Sequence, residues 1–328
     1  MTFPAANMAA QEKPAYTVVV YLQGGKNIDI GSLAWNDMTH IAEAFAHVRA
    51  DGTIINRKRE GLVSMAHNRG VRCILSIGGM GDSNENWRQA IGLNQDAFVK
   101  NIMDYITANN YDGVDVDWEF PQAQDLDTFT GFMIKLSVAV HSTKGYYGKP
   151  KEIMFCICEA PESNGGYNYP SLGKIVDYGI LMSYNYLPLA EKASQILLDL
   201  GFPAKKTLIG FGLFDNTGTS TAVRVINEGN YIGYDENMES AGYYYKGATV
   251  TVNTARSIRA RLKWAFSRPT PFPGIAVWQA TYAYPSSDKS AADLWSAIGG
   301  GYVSQTEPQS LTASAGKKAL DKVDVEGK

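Results

Sequence analysis

Residues 111–121 read YDGVDVDWEFP, a stretch in which acidic residues alternate with large apolar ones. Side chains alternate across a β-strand, so Asp115, Asp117 and Glu119 share one face, and the two valines and the tryptophan share the other. We call these three acids the acid row. Like charges one strand step apart repel, and burial disfavours charged groups. Stability therefore does not explain the row, and the pattern indicates a functional strand.

This strand is one of eight short β-branched or apolar runs. In chain order they are Thr17–Leu22, His40–Ala46, Arg72–Ile77, Gly113–Glu119, Ile153–Cys158, Gly179–Tyr184, Thr207–Gly212 and Gly274–Trp278. Segments of helical period lie between them, such as Gln95–Asn109, Leu126–Ser142 and Asn253–Phe266. The alternation is typical of parallel strands with crossover helices, and eight such units favour a closed barrel over an open doubly wound sheet. The sequence therefore predicts an α/β protein with a (β/α)8 TIM barrel.

The composition indicates one folded domain. Residues 15–303 are predicted to form the barrel, whereas residues 1–14 and 304–328 contain few large apolar groups and are predicted to be tails. The net charge is −3, the pI is near 5.9, and the basic residues are scattered, so we expect neither a nucleic acid nor a membrane as partner. No run reaches the ~18 apolar residues of a membrane span, and no leader is visible.

The cysteines and histidines indicate neither a disulfide nor a metal. Cys73, Cys156 and Cys158 each lie within a predicted strand, where a small buried hydrophobic residue is expected. The four histidines show no ligand spacing with cysteines or carboxylates. We expect no metal and no other cofactor.

The position of Glu119 favours chemistry. Catalytic groups of (β/α)8 barrels lie at the C-terminal ends of the strands, and Glu119 ends its predicted strand just before Pro121. Crowded carboxylates raise one another's pKa, so the outermost acid can remain protonated at neutral pH, as a general acid must. Glu119 is the candidate acid.

The run Asp112, Asp115, Asp117 and Glu119 resembles the signature of family 18 glycoside hydrolases, the chitinase family. The resemblance extends along the predicted barrel to Ser76-Ile77-Gly78-Gly79, Met182-Ser183-Tyr184-Asn185 and Trp278. It implies a retaining, substrate-assisted reaction without a protein nucleophile. Glu119 protonates the glycosidic oxygen, and the 2-acetamido group of the substrate attacks to form an oxazolinium ion.

The same resemblance implies roles for further residues. Asp117 contacts the acetamido N–H and stabilises the cation, and Asp115 shares its proton with Asp117. Tyr184 orients the acetamido oxygen. The implied substrate-binding residues are Trp278, Phe45, Tyr21, Gly79, Met182, Asn185 and Trp87. Trp278 forms the apolar platform under the sugar, Asn185 stands where the family most often has aspartate, and Trp87 is expected in a loop after the third strand. The implied partner is a polysaccharide or glycan containing N-acetylglucosamine, cleaved by a secreted monomer.

Two regions depart from the family pattern. Glu43 lies two residues before Phe45, where the family usually has an aromatic or hydroxylic residue. We expect Glu43 to point into the barrel and to be protonated, or to share a proton with the Asp115 end of the acid row. Residues 217–252 are too few for the family's full insertion between the seventh and eighth strands. Their tyrosines predict a reduced insertion and an open groove suited to internal cleavage.

Two alternatives remain at this point. An endo-β-N-acetylglucosaminidase that acts on N-glycans uses the same acid row and the same barrel. A chitinase-like lectin binds chitooligosaccharides without cleavage, but such proteins generally lose the terminal acid, which is present here as Glu119.

Overall fold

The computed structural model describes residues 13–25, 27–56 and 58–300, so residues 1–12 of the predicted tail 1–14 and all of the predicted tail 304–328 lie outside this range. Within it the chain forms twelve strands and nine α-helices. The strands are β1 Thr17–Gln23, β2 His40–Val48, β3 Ile54–Asn56, β4 Arg72–Gly78, β5 Gly113–Asp117, β6 Glu152–Ile157, β7 Tyr178–Leu181, β8 Thr207–Gly212, β9 Asn230–Asp235, β10 Ser240–Tyr245, β11 Ala248–Val252 and β12 Gly274–Trp278. The helices are α1 Leu62–Asn68, α2 Asn84–Gly92, α3 Gln95–Ala108, α4 Leu126–His141, α5 Tyr169–Ile175, α6 Leu187–Asp199, α7 Ala222–Glu228, α8 Ala255–Phe266 and α9 Lys289–Gly299.

The strands confirm the predicted barrel. Eight of them are parallel in the order β1-β12-β8-β7-β6-β5-β4-β2, and pairing of β1 with β2 closes the ring in this part of the chain. All eight predicted runs are barrel strands. The predicted fourth and sixth strands are shorter than expected, because β5 ends at Asp117 and β7 ends at Leu181. Glu119 and Tyr184 therefore lie in the loops beyond the strand ends.

Two apolar cores hold the barrel together. The outer core lies between strands and helices, and α4 shows why a helix forms there. Its buried residues follow the helical period and are Phe129, Phe132, Met133, Leu136 and Val140. Burial of each such side chain contributes about 1.5–3 kcal/mol. The inner core fills the barrel interior and includes Val19, Tyr21, Ala42, Met154 and Cys156.

A small antiparallel sheet of β9, β10 and β11 occupies the connection from β8 to β12. This sheet is the reduced insertion that the sequence predicted. Its buried residues Ala241, Tyr243 and Tyr245 belong to the outer core, and Tyr245 donates its hydroxyl to Glu228 on α7 at 3.1 Å. The guanidinium carbon of Arg256 lies over the Tyr234 ring, 3.9 Å from the ring centre. The insertion is thus a packed part of the same domain.

The N-terminal end of the barrel is closed by a polar cluster that we call the basal network. It consists of His40, Arg72, Glu152, Tyr178 and Thr17, which begin five different strands. The Glu152 carboxylate is 2.9 Å from His40 Nε2 and forms an ion pair with Arg72. Thr17 Oγ1 donates to the Tyr178 hydroxyl at 3.2 Å.

Two further histidines and the cysteines also occupy structural positions. His67 bonds Asp112 and His141 bonds Asp177, both at 2.9 Å. Asp112 also accepts the backbone N–H of Cys73, so this signature residue supports the strands from outside the barrel. All three cysteines are buried free thiols. Across residues 13–25, 27–56 and 58–300, no cluster of His, Cys, Asp and Glu could hold a metal ion, and no helix there is long and apolar enough to span a membrane.

Candidate active site

Strand β5 places the acid row as the alternation predicted. Asp115 and Asp117 point into the barrel and are buried, with 0% and 3% of their surfaces exposed. Val114 and Val116 pack in the outer core. Glu119 lies two residues past the strand end and is partly exposed at the mouth of the barrel. The row therefore runs from the interior to the surface.

Asp115 is the innermost acid and the best-bonded one. Tyr21 on β1 donates its hydroxyl to Asp115 Oδ2 at 2.9 Å, and Ser76 on β4 donates to the same atom at 2.7 Å. The Cys156 thiol on β6 lies 3.8 Å from both carboxyl oxygens. Burial raises the pKa of Asp115 to about 6, although the hydrogen bonds from Ser76 and Tyr21 oppose this shift. These donors fix the carboxyl group in one orientation.

Asp117 is poorly bonded by comparison. No described residue forms a hydrogen bond with its buried Oδ1 atom. Burial raises the pKa of Asp117 well above its ordinary value, and the negative charges of Glu119 and Asp115 raise it further. Two neighbouring buried carboxyls of this kind hold one proton between them. Oδ1 is consequently a buried acceptor that is free to bind a donor on a ligand.

Glu119 has the pKa of a general acid. Burial raises its pKa to about 7, and a hydrogen bond from the backbone of Met80 opposes the shift. Met80 follows Gly78 and Gly79, which bring this loop against the row. A Cβ on Gly78 would lie 2.3 Å from the Asp117 carbonyl oxygen, and one on Gly79 would lie 2.5 Å from the Phe45 ring. Both glycines also have positive φ, so the loop requires glycine at these positions.

Aromatic rings form a platform beside the acids. The Trp278 ring lies parallel to Phe45, with centres 5.5 Å apart and planes 14° apart. Tyr21 packs against Trp278 at 5.6 Å. Trp278 and Phe45 are partly exposed, so a face remains available to a ligand. Sugar rings present apolar C–H faces that stack on such surfaces.

Tyr184 and Asn185 follow β7 and are held through their backbone. Asn253 donates to the Tyr184 carbonyl at 2.9 Å, and Arg261 donates to the Asn185 carbonyl at 3.2 Å. Burial, together with nearby acidic groups, raises the pKa of the Tyr184 hydroxyl well above its ordinary value, so it remains a neutral donor. Met182 lies in the inner core below.

Three positioning groups carried no recognisable sequence signal. Asn253 also bonds the Gly212 carbonyl, and Arg261 bonds the carbonyls of Ser183 and Gly210. Arg261 is buried, and burial lowers its pKa to about 10. Cys156 is the third. Their partners lie far away in the sequence, so no local pattern marks them.

Two predicted site residues are placed elsewhere. Trp87 is fully buried on α2, where its ring stacks on Trp118 with centres 5.4 Å apart, so the prediction that it binds a sugar is wrong. Glu43 points to the outer face of β2, where it accepts hydrogen bonds from the Tyr111 hydroxyl and the Arg59 backbone. The pairing of β2 with β4 shifts register between Glu43 and Ala46, which breaks the alternation. The predicted link between Glu43 and the acid row is therefore wrong.

A (β/α)8 barrel with an acid row beside an aromatic platform at the C-terminal strand ends has the layout of a barrel glycosidase. The family model described as Glycosyl hydrolases family 18 matches residues 17–283, and the chain belongs to this family. Chitinase 1 of Aphanocladium album is 28% identical over 258 residues, which cover 60% of this chain and 59% of that protein. The chain thus spans less than two thirds of this relative.

Solved structures show the same fold. The immunomodulatory active chitinase from Trichuris suis has a TM-score of 0.74 at 15% identity, covering 86% of this chain and 98% of that one. The family 18 N-acetylglucosaminidase from Paenibacillus barengoltzii has a TM-score of 0.74 at 17% identity, covering 86% and 99%. At these identities the likeness establishes the architecture alone.

Proposed function

We propose that the chain is a retaining glycoside hydrolase that cleaves β-1,4-linked N-acetylglucosamine in chitin or chitooligosaccharides by substrate-assisted catalysis. The observation that carries this proposal is the graded acid row. Its outer member has a pKa near 7, and its middle member keeps a buried oxygen without a partner in the described chain. The family membership and the chitinase among its relatives support the same substrate class.

Each residue then has a defined task. Glu119 donates its proton to the leaving glycosidic oxygen, and the acetamido carbonyl of the substrate attacks the anomeric carbon. Asp117 Oδ1 accepts the acetamido N–H and, with the proton held on Asp115, stabilises the oxazolinium cation. The Tyr184 hydroxyl donates to the acetamido oxygen. Water, deprotonated by Glu119, opens the ring with retention.

Trp278, with Phe45 stacked on it, supports the sugar during this reaction. Asn185 supplies a neutral polar contact in place of the usual carboxylate. The short insertion is a sheet of three strands, which favours an open groove and internal cleavage of the polymer. An insoluble polymer as substrate favours action outside the cell, and nothing in the proposed reaction requires more than a monomer or any cofactor.

The test is hydrolysis of chitopentaose beside a biantennary N-glycopeptide, with product anomers resolved before mutarotation. We expect β-anomers from chitopentaose, and we expect Glu119→Gln to lower kcat by about a thousandfold, because a general acid contributes 10²–10⁴-fold. Glu43→Gln is the matched control, since this buried glutamate faces away from the barrel interior.

The other outcomes contradict the proposal in distinct ways. Cleavage of the glycopeptide alone indicates an endo-β-N-acetylglucosaminidase. Binding of chitopentaose without cleavage indicates a lectin. Initial products dominated by one disaccharide contradict internal cleavage only.

A further inference from the structure

Gln23 ends strand β1 at the mouth of the barrel. It lies on the same face as Val19 and Tyr21, which belong to the inner core, and it is partly exposed. Its register partner on β2 is Ala44, the neighbour of Phe45. On the other side it contacts Gln279, the neighbour of Trp278. Gln23 therefore sits between the two strand ends that carry the aromatic platform.

The hydrogen bonds to Gln279 determine how the Gln23 amide is oriented. Gln279 is fully buried, and its Oε1 accepts the backbone N–H of Gln23 at 3.2 Å. Its Nε2 must then act as the donor of the pair, and it lies 3.1 Å from Gln23 Oε1. An amide has one acceptor end and one donor end. The Oε1 end of Gln23 is consequently committed to Gln279, and the Nε2 end faces away with both N–H groups.

No hydrogen bond joins Gln23 Nε2 to any group of residues 13–25, 27–56 and 58–300. We propose that Gln23 is a substrate-binding residue of the active site, and that its Nε2 donates a hydrogen bond to a hydroxyl or carbonyl oxygen of the sugar on Trp278. Gln279 is a positioning residue that acts through Gln23. This inference rests on the proposed function and adds a determinant of sugar recognition to it.

A neutral donor suits this place for a physical reason. A lysine or arginine at the barrel mouth would favour the ionised form of nearby carboxyls and would lower the pKa that Glu119 needs as an acid. An amide supplies the donor without the charge. A sugar that lacks an oxygen at this position leaves the Gln23 N–H groups desolvated and unpaired, which disfavours its binding.

The competing explanation is that the two glutamines only tie β1 to β12. Four variants separate the two ideas by kinetics on chitopentaose and by thermal unfolding. Gln23→Met removes the donor, Gln23→Glu keeps the acceptor for Gln279 but loses the donor, and Gln279→Met removes the support. Gln279→Glu places an acceptor opposite Gln23 and forces its amide to turn, so that Oε1 faces the sugar.

We expect Gln23→Met to raise KM about tenfold with a smaller change in kcat, as for loss of a binding hydrogen bond. Gln23→Glu and Gln279→Glu should raise KM to a similar extent, but the carboxyl that each adds also disfavours ionisation of nearby acids, so KM alone is compared with that of Gln23→Met. Gln279→Met should have a weaker effect. The double variant Gln23→Met/Gln279→Met should have the KM of Gln23→Met alone, because Gln279 acts through Gln23.

Two results overturn the inference, and they distinguish its own failure from failure of the proposed function. If wild type cleaves chitopentaose and Gln23→Met keeps its KM while melting earlier, the pair is only a structural tie. If wild type neither binds nor cleaves chitopentaose, the proposed function fails and takes this inference with it.

Discussion

The acid row and the basal network are polar clusters at opposite ends of one barrel, and their surroundings shift the pKa values of their carboxyl groups in opposite directions. Burial alone would raise the pKa of Glu152, but the hydrogen bond from His40 and the charges of His40 and Arg72 outweigh it and lower the pKa. In the acid row burial dominates, and all three pKa values rise. At the N-terminal end the Glu152 carboxylate is ion-paired and stabilises the fold. At the C-terminal end the carboxyl groups of the acid row keep protons that a reaction can use.

The largest effect on the free energy of unfolding should come from removing the carboxylate of the basal network. Glu152→Gln leaves Arg72 without its carboxylate, and loss of one partner from this partly buried pair should lower the free energy of unfolding by about 2 kcal/mol at pH 7. The folded pKa of Glu152 is depressed, so its stabilisation is present above the unfolded pKa and is lost as pH falls through the folded pKa. Urea unfolding of both proteins at pH 7 and pH 4 measures this, and the gap should narrow at pH 4.

The activity of the folded Glu152→Gln protein should match that of wild type. Lower kcat/KM in the fully folded variant would show that the two ends of the barrel are coupled, and it would contradict their separation into a stabilising end and a reactive end.

Two tyrosines test this difference between the two ends of the barrel. Tyr178 begins β7, and Tyr184 lies in the loop after it. Tyr184→Phe removes the hydroxyl proposed to orient the acetamido group, and loss of one such donor should lower kcat/KM about a hundredfold. Tyr178→Phe is the matched control, because it removes a hydroxyl that accepts a hydrogen bond from Thr17 in the basal network, at the other end of the barrel. It should lower the free energy of unfolding by about 1 kcal/mol and leave kcat/KM unchanged. Equal activity of the two variants would contradict the role given to Tyr184.

The sequence predicts the acid row well because its signal is local. Period-two alternation places Asp115 and Asp117 on one face without knowledge of any other strand, and eight apolar runs suffice for the barrel. The groups that orient these acids could not be predicted in this way. Tyr21, Ser76 and Cys156 come from three other strands, and their distances depend on registers that a single sequence does not contain.

The two wrong predictions have local causes. Residues 82–86 are polar and resemble a loop, but Ser83 caps α2 by accepting the backbone N–H of Asn86 at 3.2 Å. That helix turns Trp87 towards Trp118, a partner 31 positions away. Glu43 was misplaced because alternation fails at a register shift, and no residue type in β2 marks that shift.

Glu119→Gln should have the smallest effect on the free energy of unfolding, and the sign of that effect tests the comparison most directly. The folded pKa of Glu119, about 7, lies above the value of 4.5 for an ordinary glutamate, so the wild type loses stability as pH rises from 4.5 to 7. A neutral glutamine avoids this loss. After allowance for partial exposure, the variant should be more stable than wild type by about 1 kcal/mol above pH 7 and equal to it below pH 4.5. Thermal unfolding across this range measures the difference. Glu43→Gln should instead be less stable than wild type, because both Glu43 oxygens accept hydrogen bonds, from Tyr111 and the Arg59 backbone, and glutamine keeps one acceptor oxygen. The same pKa of the free protein places the alkaline limb of wild-type kcat/KM near pH 7. A limb far from pH 7, or a Glu119→Gln variant less stable than wild type, would mean that Glu119 is not held in its protonated form.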